Sequence, residues 1–407
     1  MLPVGGRGGR KPDRYAGAAM VRTPASPPLS VAIVSDCYVP DTGGIEVQAH
    51  DLAQHLQRGG HRVVVVTTTP GPPEVDGIKV IRVSVPPTQR RIPFLPDKAP
   101  LAPSVFREVA DVLAAEQVDV AHFHGGILSP LAFKGAADAQ AAGLPTVITT
   151  HCLWSYATPL FAVLNRRYHW SQWPVVFSAV SDAAAEPIRR IAGDDVEVAI
   201  LPNGIDTAWW SQGAHADEEA TNTFTVAAVM RLAPRKRPFQ LVRTLARVAA
   251  ALDGAVTLRA VIVGDGSLRR PLQRYIDRLG LTGVIELAGR LDRAAIRDLY
   301  AEVDAFVAPA NLESFGIAAL EARTAGIPVV AKARTGVREF VRHGREGLLA
   351  TSDRDMADQL IRLGRDRSLR ATMAAHNRLV PPNMDWDDVV AANVAVYRRA
   401  IDLVAAN

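Results

Sequence analysis

Two glutamates with seven residues between them are the side chains best suited to bind a ligand rich in hydroxyl groups. Glu313 lies in a loop after a short apolar strand, and Glu321 lies inside the helix predicted to begin near Phe315. Ser314 or Glu313 would cap that helix, whose free N–H groups favour an anion. Gly316 would let a phosphate group approach the backbone. A nucleotide sugar has this layout, with hydroxyl groups at both ends and phosphate between them.

The sequence around the two carboxylates decides between a ligand site and two unrelated surface acids. The amides of Phe315, Gly316 and Ile317 would face the ligand, and Ser314 belongs to the same predicted donor-binding segment. Gly326 ends the helix, and an apolar strand follows at once. Because a strand, a loop, a helix and a second strand follow one another without a gap, the pattern favours the ligand site.

The composition is that of an ordinary globular chain. Of the 407 residues, 48% are hydrophobic and 22% are charged, which predicts two or three domains with large cores. The net charge of +4 favours anionic ligands or an anionic membrane surface, and no nucleic-acid partner is expected. Cys37 and Cys152 are too few for a disulfide framework, which indicates a reducing, cytoplasmic location. No apolar run reaches the length of a membrane span.

Alternating strand and helix patterns predict an α/β fold with parallel sheets. Residues 1–29, rich in Gly, Arg and Pro, predict a disordered basic tail. One series of strands and helices covers 30–206, and a second restarts within 207–388. A last helix is predicted within 389–407. The pattern therefore predicts two domains with a polar linker near 209–222.

Chemically capable residues follow several of the predicted strands, where open α/β sheets bind ligands. Gly43 and Gly44 come between the first strand and the first helix, a position that favours a ligand-facing loop over an ordinary tight turn. His124 and His151 follow later strands. The His-x-His pair at 122–124 has no apparent third ligand, so a zinc site is discounted. His124 is either a turn residue or an acceptor contact.

Basic residues follow the strand that restarts the second series. Arg231 and Lys236 precede a predicted helix start, which is a place where phosphate binds. Solvated loop residues are the alternative. Further along, a Val-rich strand ends at Gly264, a weaker signal because glycine turns are common.

With these residues in place, the chain resembles the retaining GT-B glycosyltransferases of the family 4 type, or glycosyl transferases group 1. The resemblance is carried by Glu-Ser-Phe-Gly-Ile-Ala-Ala-Leu-Glu-Ala at 313–322 and covers nearly everything after Ser30. The family includes bacterial mannosyltransferases, sucrose synthases and the GlcNAc-phosphatidylinositol synthases. It implies two facing Rossmann-like domains with a cleft between them, and a last helix that crosses back to the first domain.

The resemblance also implies roles for single residues. Arg231 and Lys236 match the family's cations that neutralise the donor diphosphate, which the Gly-Gly loop touches, and His151 matches a histidine near the donor sugar. The nucleotide base is bound near Leu291 and Asp292. The predicted catalytic set is His151, Arg231, Lys236 and Glu313. The predicted acceptor contacts are His124 and Trp154.

The implied reaction is transfer of a hexose from a nucleotide diphosphate sugar with retention of configuration. No nucleophile is evident, so we expect same-face attack by the acceptor, with the leaving phosphate taking its proton. No Asp-x-Asp motif is evident, so no metal and no cofactor are expected. Asp292 would either accept from guanine or cap the next helix, which favours GDP-mannose slightly over UDP-glucose or UDP-GlcNAc.

Two basic stretches predict a lipid-linked acceptor and peripheral contact with an anionic membrane at the inner face of the cell membrane; a glycan acceptor is the alternative. They are Gln89–Lys98 and Leu164–Trp173. The alternative is that Trp170 and Trp173 belong to the core and that the arginines are simply solvated.

A rival class is an inactive copy that only binds ligand, since related folds also serve as epimerases and phosphorylases. An inactive copy would be expected to lose Glu313, Arg231 or Lys236, and all three are present.

Overall fold

The computed structural model describes residues 27–41, 43–85, 102–126, 129–154, 157–193, 196–212, 222–252 and 254–406. Most of the predicted basic tail and the basic stretch at 89–98 lie outside the described residues.

The first sheet has eight described strands in the order β3-β4-β2-β1-β5-β6-β7-β8. All neighbours are parallel except β3 and β4. The strands are β1 Ser30–Ser35, β2 Arg62–Thr67, β3 Glu74–Val75, β4 Ile78–Arg82, β5 Val120–Gly125, β6 Thr146–Thr150, β7 Val176–Ala179 and β8 Val198–Ile200. The helices of this half are α1 Gly44–Arg58, α2 Pro103–Ala115, α3 Ala136–Ala141, α4 Thr158–Tyr168, α5 Asp182–Ala192 and α6 Thr207–Ser211.

The second sheet has six described strands, all parallel, in the order β11-β10-β9-β12-β13-β14. They are β9 Thr223–Val229, β10 Thr257–Val263, β11 Ile285–Gly289, β12 Ala305–Ala308, β13 Val329–Lys332 and β14 Gly347–Ala350. The helices that follow are α7 Pro238–Leu252, α8 Arg269–Arg278, α9 Arg293–Tyr300, α10 Ile317–Thr324, α11 Asp353–Arg365, α12 Arg367–Leu379 and α13 Trp386–Ala405.

Both sheets are buried on both faces, which explains their uninterrupted apolar strands. In β2 the run Val63–Val66 is fully buried, as parallel sheets covered by helices require. A single apolar cluster joins the two halves, because it contains Ala32 of β1 as well as Phe306 of β12. The predicted α/β class with two Rossmann-like halves is confirmed.

Helix α13 leaves the second half and packs on the first. Trp386 stacks on His55 of α1 with ring centroids 4.7 Å apart, and Tyr397 is buried in a cluster that also contains Val120 of β5. Asp385 caps the helix, so it begins three residues before the predicted Val389.

Two predicted boundaries are wrong in ways that affect the site. Helix α10 begins at Ile317 rather than near Phe315, because Gly316 precedes it with a φ of 96° and cannot continue a right-handed helix. Strand β5 extends to Gly125, so His122 and His124 lie inside the strand instead of beyond its end. Being two residues apart, these histidines share one face of the sheet.

Candidate active site

A cavity of about 650 Å³ lies between the two halves. It is lined by residues from both, and it brings together most of the residues predicted to bind the donor. Those residues are Gly43, Gly44, His151, Arg231, Lys236, Glu313, Ser314, Phe315, Gly316 and Ile317.

Lys236 and Glu313 form the most direct contact in this cavity. The Lys236 ammonium donates to Oε2 of Glu313 at 2.5 Å, and both side chains are partly buried. The next residue, Arg237, donates two hydrogen bonds to Asp353 and one to the carbonyl of Pro309. These bonds fix the loop after β9, so Lys236 is held where a cation can face both Glu313 and an anionic ligand.

The Asp353 carboxyl is the anchor of this loop. Hydrogen bonds from Arg237, assisted by those from Lys332, hold its pKa well below its usual range. Asp353 is therefore ionised at neutral pH, and the positive charge of Arg237 is already neutralised. Lys236 and Arg231 remain as the lining cations that the sequence predicted.

Gly316 allows the start of α10 to approach the cavity. A Cβ at this position would lie 2.8 Å from Cγ2 of Val337, and the backbone has a positive φ, so only glycine fits without strain. The first-turn amides now belong to Ile317 and Ala318. Gly44 faces this turn across the cleft, because a Cβ there would lie 3.7 Å from Cδ1 of Ile317.

Glu321 lies in a neighbouring cavity of about 260 Å³ that shares Ile317 with the first. Burial raises the pKa of Glu321 to about 7, a rise that nearby Arg293 reduces and Asp51 increases. Arg293 and Asp51 themselves pair at 2.9 Å across the two halves. The two glutamates of the motif therefore occupy opposite sides of the α10 N-terminus.

His151 lies directly after β6 and lines the large cavity. Burial lowers its pKa to about 4, so its imidazole is neutral at neutral pH. Nδ1 of His124 lies 2.8 Å from Nε2 of His151. His124 itself is buried behind His151 and lines a small inner pocket instead of the large cavity.

The predicted acceptor contacts lie elsewhere. Trp154 is 1% exposed and stacks on Phe161 with ring centroids 3.8 Å apart, so its side chain belongs to the core. Trp170 is also buried and contacts the Trp154 ring edge-to-face. His124 is likewise buried. None of these three lines the large cavity.

Three residues predicted to bind the donor also lie outside the large cavity. Asp292 caps α9 by accepting from the amide of Ala295 at 2.8 Å, which is the second of its two predicted roles. Leu291 packs against the apolar cluster shared by the two halves. Gly264 has a φ of 127°, and a Cβ there would lie 1.9 Å from the carbonyl oxygen of Met230, so it is required for loop packing.

The structure adds lining residues that the sequence argument did not single out as ligands. Asn203 is buried and lines both the large cavity and the inner pocket. Glu46 and Arg235 also line the large cavity. The Gly-Gly-Ile-Glu sequence of 43–46 was the available signal for Glu46, whereas Asn203 was interpreted only as part of a turn.

Among the described residues, no group of three or more His, Cys, Asp and Glu side chains could hold a metal ion. Metal independence stays a prediction. In the same part of the chain, every helix is too short or too polar to span a bilayer.

Comparison with known families matches both halves. Residues 42–209 match the model described as Glycosyltransferase Family 4, and residues 214–380 match the model described as Glycosyl transferases group 1.

Curated relatives match along most of the chain. A GDP-mannose-dependent alpha-mannosyltransferase from Mycolicibacterium smegmatis is 30% identical over 354 residues, covering 80% of this chain and 85% of that protein. A D-inositol 3-phosphate glycosyltransferase from Actinosynnema mirum is 26% identical over 398 residues, covering 89% of this chain and 94% of that protein. A phosphatidylinositol N-acetylglucosaminyltransferase from Arabidopsis thaliana is 26% identical over 388 residues, covering 93% of this chain and 83% of that protein.

Among solved structures, HepE of Anabaena in complex with UDP superposes with a TM-score of 0.70 at 20% identity, covering 93% of this chain and 100% of that one. At this identity the likeness shows the fold alone.

Proposed function

The chain belongs to the glycosyl transferases group 1 family, and from that premise we propose that it transfers a hexose from a nucleoside diphosphate sugar to a lipid-linked or glycan acceptor with retention of configuration. The observation that carries the proposal is the cavity in which Lys236, Glu313, the Gly43–Gly44 loop and the start of α10 meet.

The donor diphosphate fits between the cations and the helix start. Lys236 and Arg231 supply positive charge, and the amides of Ile317 and Ala318 supply fixed dipoles at the same end of the cavity. These groups would stabilise the charge that develops as the nucleoside diphosphate leaves. Glu313 would accept from sugar hydroxyls while it orients Lys236, with which it is paired at 2.5 Å.

We propose same-face attack by the acceptor hydroxyl. No lining carboxylate is required as a nucleophile in this route, because the oxygen that leaves with the diphosphate takes the proton of the attacking hydroxyl. Neutral His151 would hydrogen-bond the donor sugar. We also propose that the reaction needs no metal ion, since the cations and amides supply the required positive charge.

For the donor, we propose GDP-mannose first and a UDP-sugar as the alternative. The mannosyltransferase relative, whose name states GDP-mannose dependence, supports this order. Asp292 no longer does, because its carboxylate caps α9.

Calorimetric titration of the chain with GDP and with UDP tests the donor, and Lys236→Ala tests the site. We expect tighter GDP binding and a loss of about 1.5–3 kcal/mol in the Lys236→Ala variant, the range for a hydrogen bond to a charged group. Arg259→Ala, which removes an exposed cation of β10 paired with Glu302, is the matched control. Tighter UDP binding would reverse the donor order. Unchanged binding in Lys236→Ala, with no transfer from any GDP- or UDP-sugar, would remove the proposal.

We further propose that the acceptor is presented at an anionic membrane, which α4 contacts. Leu160, Val163 and Tyr168 of this helix are 48%, 59% and 57% exposed, and Arg166 and Arg167 are exposed beside them. Apolar side chains next to arginines suit an anionic lipid surface. The relative from Arabidopsis thaliana, whose name includes phosphatidylinositol, supports a lipid acceptor.

A further inference from the structure

Behind His151 lies a buried layer of hydrogen-bonded side chains whose proton positions can be deduced in order. The Ser178 hydroxyl donates to the carbonyl of Ile148 at 3.2 Å, so the Thr149 hydroxyl must donate to Ser178. Thr149 then accepts from Nε2 of His122 at 2.6 Å. Nδ1 of His122 is therefore unprotonated and accepts from the Tyr397 hydroxyl at 2.8 Å.

His124 is the next ring in this layer, with its centroid 4.1 Å from that of His122. Its Nδ1 is bonded to Nε2 of His151, and its Nε2 is buried with no partner in the described part of the chain. A buried N–H without a partner is rarer than an acceptor without one. The unpartnered Nε2 of His124 is therefore the lone pair, and Nδ1 carries the proton that is donated to His151.

We propose that His124 is a positioning residue that fixes His151 in the Nδ1–H tautomer, so that His151 acts on substrate as a hydrogen-bond donor and not as a general base. Nε2 of His151 is occupied by the proton of His124, which leaves Nδ1 as the nitrogen available to a ligand in the large cavity. The role of the hydrogen bond rests on the proposed function, whereas the tautomer itself does not.

The neutral state of the layer supports this assignment. Burial lowers the pKa of His151 to about 4 and that of His122 to about 3, and burial together with the neighbouring His122 lowers the pKa of His124 well below its usual value. All three rings therefore carry one proton each at neutral pH, and a fixed tautomer is meaningful.

The test reads the His151 tautomer by long-range proton–nitrogen correlation of the substrate-free chain labelled with ¹⁵N-histidine, with His151→Asn assigning the signals. We expect protonated Nδ1 in the wild-type chain and in His124→Asn, whose amide keeps a donor near the Nδ1 position. In His124→Phe, which keeps a ring and removes the donor, the Nε2–H form of His151 should appear. A wild-type His151 protonated at Nε2 would overturn the proposal even if His124→Phe fails to fold.

Kinetics separate positioning from packing. In His124→Phe we expect kcat to fall on the order of ten- to a hundred-fold, as for other residues that orient a functional imidazole, with the donor KM unchanged. His124→Asn should keep most of the activity. Tyr397→Phe, which removes a hydrogen bond from the same layer without touching His151, should lower Tm and leave the His151 tautomer as it is. Equal losses of kcat in His124→Asn and His124→Phe would show a packing role and overturn the proposal.

Because the spectra need no donor, they remain informative if the chain transfers no sugar. Failure of the tautomer assignment and failure of the proposed function are therefore distinct results.

Discussion

At the scale of single residues, Glu321 shows how a ligand site can reduce the stability of the fold that carries it. Its carboxyl is buried, and the pKa of about 7 lies far above the ordinary value of 4.5. A group whose folded pKa is raised contributes its full stability below the unfolded pKa and loses it as the pH rises through the folded pKa. Above neutral pH the unliganded chain therefore carries a buried carboxylate that opposes folding.

We predict that Glu321→Gln stabilises the unliganded chain at pH 8.5 and has little effect at pH 4.5. The expected gain at high pH is on the order of 2–3 kcal/mol, the energy that corresponds to the shift from 4.5 to about 7. Denaturant unfolding at the two pH values measures it. Glu302→Gln, an exposed carboxylate paired with Arg259, is the control and should show no comparable gain. A Glu321→Gln variant that is no more stable at pH 8.5 than the wild-type chain contradicts the prediction.

At the scale of elements, α4 has one face for the core and another for the surroundings. Phe161 is buried against Trp154, whereas Leu160 and Val163 on the other side are about half exposed or more. The sequence stretch at 164–173 predicted a basic and aromatic surface here. The structure divides that stretch, because Trp170 is core while Arg166 and Arg167 are exposed.

We predict that the chain cosediments with anionic vesicles at low salt and is released as salt rises, because each arginine near such a surface contributes about 1 kcal/mol and salt screens it. Changing Leu160 and Val163 to Ser and Arg166 and Arg167 to Gln should abolish the binding.

The matched control for this experiment changes Arg378 to Gln and Leu379 to Ser. Both residues are exposed near the end of α12 in the second half, and Leu379 is 81% exposed. If the wild-type chain does not bind at low salt, or if the control variant loses binding equally, α4 is not a membrane contact.

At the scale of the whole molecule, the two halves touch through a few polar contacts around the cleft. The amide of Asp182 donates to Oε1 of Glu339 at 2.7 Å, and Arg293 pairs with Asp51 at 2.9 Å. Ser181 donates to the carbonyl of Ser314, next to Glu313. Contacts of this kind are individually weak, so they can bias the cleft toward closure and still let it open.

We predict that changing both Arg293 and Glu339 to Ala opens the cleft in the absence of donor. The radius of gyration from small-angle scattering should increase, and the donor KM should rise several-fold, as expected for a loss of about 1 kcal/mol in the closed state. Changing Arg259 and Glu302 to Ala removes an ion pair inside the second half and should change neither quantity. An unchanged radius together with an unchanged KM rejects the role of these contacts in closure.

The sequence by itself determined the fold class and the main cavity. Uninterrupted apolar strands such as Val63–Val66 encode burial on both faces, and helices between them force parallel pairing. Parallel strands bring their carboxyl ends to one edge of a sheet, so residues that follow strands, such as Gly43, His151 and Lys236, are expected to meet from their places in the sequence alone. Local pattern is sufficient here because the rule concerns chain direction and not long-range packing.

Only the tertiary structure decided what lies behind and beside that cavity. The aromatic residue Trp154 could serve a core or a surface equally well, and packing against Phe161 placed it in the core. The role of His124 depends on the pairing of β5 with β6, and Tyr397 reaches the same layer from a helix 275 residues away from His122. Periodicity along a chain records that a residue is buried, but it does not record which distant residue becomes its neighbour. Hydrogen-bond partners, tautomers and shifted pKa values all depend on that neighbour.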